Sequence, residues 1–65
     1  MDMSLAVDIA EGQVQADSEE QFLQAWQFLV DTGLVWQLQG WFGRTAVALI
    51  ENGYINAPNV DNLQK

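Results

Sequence analysis

Two stop signals of the same design, at Gly33 and Gly53, cut this chain into pieces that fit short helices and little else. Each glycine closes a run with helical apolar spacing, and each is followed by an apolar residue, Leu34 or Tyr54. A helix that ends on a left-handed residue needs this arrangement: glycine takes positive φ without a Cβ clash, and the next side chain folds back over the last turn. The spacing therefore predicts Schellman-type ends in which Leu34 covers Leu29 and Tyr54 covers Leu49. The start of the helix before Gly33 is equally well marked. In Asp17-Ser18-Glu19-Glu20-Gln21, either Ser18 with Gln21 or Asp17 with Glu20 satisfies the capping-box pattern. The acids there also sit at the positive end of the helix dipole, a structural reason for much of the charge. Behind the cap, Phe22, Trp26, Leu29 and Val30 form an i, i+4, i+7, i+8 stripe, widened by Leu23 and Ala25.

Between the two stops, Leu34 to Gly40 has room for one or two turns, and a helix from Trp41 or Phe42 to Asn52 follows. Phe42, Ala46, Leu49 and Ile50 make its inner stripe. Val47 and Ala48 leave little polar surface, with Arg44, Thr45 and Glu51 the only clearly hydrophilic interior positions. A helix apolar on most faces is normally surrounded by protein, so another surface is expected to cover it. At the other end, Leu5 and Ile9, with Ala6 and Ala10, predict a short helix over Ser4 to Glu11, stopped by Gly12 and linked by Gln13 to Ala16. Two turns do not stand alone in water, so the Leu5 and Ile9 edge must dock. After Ile55, the segment Asn56 to Lys65 has turn-forming chemistry and reads as an ordered turn fraying into a tail. The expected fold is all-α, a small bundle of three to four short helices with a tight helix-helix corner at Gly33–Gly43. Residues 1–16 form a short acidic helix and linker, 17–56 the helical core, and 57–65 a turn and tail.

Composition removes most chemistry. Sixty-five residues allow one domain, in which a large share of the surface stays exposed. Without Cys there is no disulfide or thiolate metal site, and without His the usual zinc ligands and general bases are missing. The remaining titratable groups, carboxylates plus Tyr54, Arg44 and Lys65, form no catalytic constellation, so neither an enzyme nor a cofactor is expected. Glu19 with Glu20, or Asp8 with Glu11, could chelate a divalent ion, but no calcium-loop spacing surrounds them, and no metal site is assigned. Gly40 and Gly43 suggest a phosphate loop only superficially, because the Lys and hydroxyl are absent and Trp41 and Phe42 intrude. A net charge of −7 disfavours phosphate backbones. No apolar run approaches the length of a bilayer span, and Met1-Asp2-Met3-Ser4 lacks a basic leader, so an intracellular, soluble protein is expected.

The aromatic residues are the remaining candidates. Trp26 and Trp36 are expected to fill the core. Trp41 and Phe42 are adjacent on one helix and cannot both point inward, so one of them faces outward or meets a contact. Arg44, the only arginine, either pairs with the chain's own acids or makes an interfacial contact. The candidate interface is Trp41, Phe42, Arg44 and Val47, with self-association supplying the missing cover.

The segment LVDTGLVWQLQGWFGRTAVALIENGYI, Leu29 to Ile55, resembles a widespread family of very short tailed-phage proteins with the pattern LVDTGLAWQLQGxxGRxAxxLIxxGxI. Leu38-Gln39-Gly40-x-x-Gly43-Arg44 is its most specific stretch, and Trp41 departs from it where a smaller or more polar residue, often His, is expected. The resemblance implies viral origin, in a phage infecting bacteria or cyanobacteria, and implies no enzyme. Together, residues and resemblance lead to an expected small acidic phage accessory protein in the host cytoplasm. It would act by protein-protein interaction in host takeover or counter-defence, as a homo-oligomer and against a host or phage protein. Its apolar patch would give affinity and its acidic N-terminal region steering. The alternative is a small nucleic-acid-binding regulator of helix-turn-helix type, for which only Arg44 could serve phosphates.

Overall fold

Local chemistry at the helix ends sets the frame of the computed structural model, which describes residues 1–57. Over those residues the chain is all-helical: α1 (Met3–Glu11), α2 (Glu19–Thr32), a 3-10 turn (Leu34–Trp36) and α3 (Gly40–Glu51). The expected tail from Pro58 onward lies outside the described residues. At the start of α1, Asp2 Oδ1 accepts the Leu5 N–H at 2.8 Å, a cap that the sequence reading did not assign. At its end, the Gly12 N–H donates to Ile9 O and the Gln13 N–H to Asp8 O, which are the two bonds of a Schellman motif. For α2 the Ser18 register is the one used: Ser18 Oγ accepts the Gln21 N–H at 3.1 Å. Gln21 Oε1 reaches back one residue further than the usual box and accepts the Asp17 N–H at 2.6 Å.

The two glycine stops differ in detail. Gly53, at φ 81°, closes α3 with both Schellman bonds, Gly53 N–H to Ile50 O at 3.0 Å and Tyr54 N–H to Leu49 O at 2.9 Å. Tyr54 nevertheless stays 57% exposed. Gly33, also at φ 81°, makes the first bond, to Val30 O at 3.1 Å, but not the second. The Thr32 hydroxyl replaces it: it donates to Leu29 O at 3.2 Å and accepts the Leu34 N–H at 3.4 Å. One hydroxyl thus joins the two backbone groups that the missing bond would have joined, and both are satisfied.

The core is built from every element. Ala6 and Ile9 of α1, Ala25, Trp26, Leu29 and Val30 of α2, Val35 of the 3-10 turn, Phe42 and Ala46 of α3, and Ile55 are all buried. α1 packs along α2, which gives its two turns the docking they require, while α3 packs chiefly against the 3-10 turn. Trp26, Leu29, Val30 and Val35 are the largest fully buried side chains, each contributing roughly 1.5–3 kcal/mol relative to exposure. Ile55 is held in the core by a clasp across the chain. Gln27 Nε2 donates to Asn56 O at 3.0 Å and Gln27 Oε1 accepts the Asn56 N–H at 2.7 Å. A side-chain amide thereby pairs with a backbone segment much as a neighbouring strand would.

Trp36 is a correction. It was expected in the core, yet it is 47% exposed, and Val35 fills the interior position instead. A 3-10 turn has three residues per turn, so consecutive side chains point about 120° apart and only one of Val35 and Trp36 faces inward. α3 begins at Gly40, ahead of the expected Trp41 or Phe42, and within the chain its far side is exposed. No helix among the described residues is long and apolar enough to cross a membrane.

Candidate functional site

α3 carries two stripes back to back. Phe42, Ala46, Leu49 and Ile50 run at i, i+4, i+7, i+8 and face the core, buried or half-buried. On the opposite side Gly40, Trp41, Arg44, Val47, Ala48 and Glu51 are all exposed. Numbered from Arg44, the last four fall at i, i+3, i+4 and i+7, the spacing by which one helix seats on another. At the head of this outer stripe lies an aromatic cluster. Trp41 stacks on Phe42 with ring centroids 3.9 Å apart and meets the buried Trp26 edge-on at 6.3 Å. Phe22 also meets Trp26 edge-on, at 6.5 Å. Trp41 is therefore fixed from beneath while 37% of it remains exposed. A preordered aromatic of this kind loses little conformational freedom on binding.

Among the expected interface residues, Trp41, Arg44 and Val47 share this exposed face, with Val47 43% exposed. Phe42 departs from the expected set: at 2% exposure its ring belongs to the core and supports Trp41 rather than meeting a partner. Adjacent helical residues diverge by about 100°, which sends one ring in and the other out. Arg44 makes no side-chain hydrogen bond to any described acid. Its Nη1 lies back along the helix, 3.2 Å from where a Cβ on Gly40 would stand. Trp36 flanks the stripe, its ring over Gly43 at ordinary contact distance from a would-be Cβ. Ala48 and Glu51 also belong to the outer face, although the sequence reading did not assign them to the interface. Their signal was present as the i+4 and i+7 partners of Arg44.

A second surface feature is an open groove between α2 and the residues after α3, lined by Glu19, Glu20, Leu23, Gln24, Tyr54 and Ile55. Among the described residues, no group of three or more acids is arranged to hold a metal ion. One interior feature stands out: Trp26 Nε1 is buried with no hydrogen-bond partner among the described residues, because the ring is surrounded by other aromatic side chains.

The two-faced α3, the glycine-ended helices and α1 are all spanned by one family model, described as a domain of unknown function (DUF7417), which matches residues 3–62. The chain belongs to the DUF7417 family. The DUF7417 match takes in the acidic α1 together with α2 and α3, in line with the shared core that joins Ile9 to Trp26 and Phe42. No curated protein and no solved structure matches the chain.

Proposed function

We propose that this chain is a protein-interaction module that works through the outer face of α3. One observation carries the reading: Trp41 is held rigidly on Phe42 and Trp26 yet stays partly exposed, in line with exposed Val47 and Ala48. Aromatic anchors on a rigid base, flanked by small apolar residues, are typical of binding hot spots. The eight described acids would steer a basic partner toward the molecule from a distance. The resemblance of Leu29 to Ile55 to short tailed-phage proteins supports an infected cell as the setting. The partner at that face would then be a phage protein, a second copy of this chain included, or a host protein in the host cytoplasm, and host takeover or counter-defence the outcome. The rival, a nucleic-acid-binding regulator, has Arg44 as its one described cationic side chain and gains no further support from the geometry.

A photo-crosslinking residue at Val47, with a control at the exposed Ser4 of α1, tests the proposal in extracts of infected cells. Specific adducts at position 47, with this chain or another protein, that disappear with Trp41→Ala are the expected result. Position 47 giving no more adduct than position 4 would sink it. A low-salt gel shift of duplex DNA that is lost with Arg44→Gln would favour the rival.

A further inference from the structure

Building on the assignment of α3's outer face as an interface, we infer that its occupant is a second copy of this chain. The two α3 helices pack antiparallel about a twofold axis at the Val47–Ala48 junction. Charge is the first ground. Outside this stripe every formal side-chain charge among the described residues is negative, so most pairings of two copies would bring only acids together. Among the described side chains the stripe alone holds a cation, Arg44, and it also holds one acid, Glu51. Those two lie seven residues apart, about 10 Å along the axis, too far to pair within one helix. They stand equidistant from the Val47–Ala48 junction. A twofold axis at that junction therefore places Arg44 of each copy opposite Glu51 of the other, twice over, and Val47 opposite Ala48. Self-complementarity of this kind is what an isologous contact requires.

Packing gives the second ground. Gly40 and Ala48 are small and exposed on the same face, which allows two helix backbones to approach closely, while Trp41 and Val47 supply the apolar area. Antiparallel docking also sets the helix dipoles in their favourable mutual direction. The contact is short: twelve residues of α3 span about 18 Å. An interface of that size falls at the small end for specific association, so the dimer is expected in the micromolar range.

Sedimentation equilibrium of the intact chain and two charge reversals, Arg44→Glu and Glu51→Arg, tests this directly. Both positions are exposed, and far-UV circular dichroism checks that each variant remains helical. Each reversal alone turns two attractions into two repulsions and should weaken dimerisation about ten- to thirtyfold. An equimolar mixture of the two variants restores both pairs across a heterodimer, and the double variant restores them in a homodimer, so both should regain near-native affinity. Arg44→Gln and Glu51→Gln, which remove charge without reversing it, should weaken dimerisation by a smaller factor. A native chain that stays monomeric up to about 1 mM, the range of the weakest complexes, overturns the inference. So does a dimer indifferent to either reversal, or a mixture no tighter than its separate parts. A monomer whose position-47 crosslinker captures a different protein removes the second copy as occupant and leaves the interface assignment standing. A monomer without adducts removes both.

Discussion

Alanine at Gly43 and alanine at Gly33 should move the stability of this domain in opposite directions, although neither site is crowded. Gly43 lies within α3, where replacing glycine by alanine gains about 1 kcal/mol of helix propensity. The added Cβ would stand 3.5 Å from Trp36 Cε3 and 3.7 Å from Cζ3, which is ordinary contact and adds a little burial. Gly33 has open space around a would-be Cβ, so sterics against neighbours cost nothing there. Its φ of 81° decides instead. A left-handed conformation costs an L-residue about 1–2 kcal/mol, partly offset by roughly 0.4–1 kcal/mol from a stiffer unfolded chain. The two variants should therefore differ by about 2 kcal/mol. At about 4–8 °C per kcal/mol for a domain of this size, their melting midpoints should lie roughly 8–16 °C apart, with the native chain between them. Thermal melts followed by far-UV circular dichroism, at one low concentration to keep association out of the comparison, measure this. A lowered midpoint for Gly43→Ala would refute the placement of Trp36 over α3. An unchanged midpoint for Gly33→Ala would refute the left-handed end of α2.

Trp26→Ala should unfold the chain, since emptying a fully buried aromatic site typically costs about 3–5 kcal/mol, whereas Trp36→Ala should leave it folded with a loss of about 1 kcal/mol. Urea titrations of the two variants check the order, and a folded Trp26→Ala beside an unfolded Trp36→Ala would reverse it. Gln27→Ala removes both bonds to Asn56, at a cost of about 1–3 kcal/mol, and should speed hydrogen exchange at the Asn56 amide; unchanged protection there would mean the clasp does not hold Ile55. Salt should stabilise the monomer, because eight described acids face a single described arginine and their mutual repulsion is screened as the Debye length falls from about 30 Å at 0.01 M to about 3 Å at 1 M. A midpoint that falls steadily with sodium chloride would show that attractive pairs outweigh the repulsion.

Where the helices end follows from residues close together in the chain. Ser18 caps α2 through Gln21, and Gly12, Gly33 and Gly53 close three helices in left-handed conformation. These events involve residues within about five positions of one another, so spacing and residue type are sufficient. The inward stripe of α3 was legible for the same reason: Phe42 and Ala46 fall on one side by helical period alone. What periodicity left open was which of Trp36, Trp41 and Phe42 would be buried, and that depends on how the elements pack. The 3-10 turn after Gly33 rotates Val35 inward and Trp36 outward, and the direction in which α3 leaves that turn puts Phe42 against Trp26. Ile55 reaches the core next to Asn56, which Gln27, in the middle of α2, clasps across 29 positions of sequence. No local pattern encodes that encounter, since it depends on α3 returning the chain to α2. The outer face of α3 belongs to both levels. Its i, i+3, i+4, i+7 order was written in the sequence, but its exposure followed from packing, once α3 had spent its opposite side on Trp26 and the 3-10 turn.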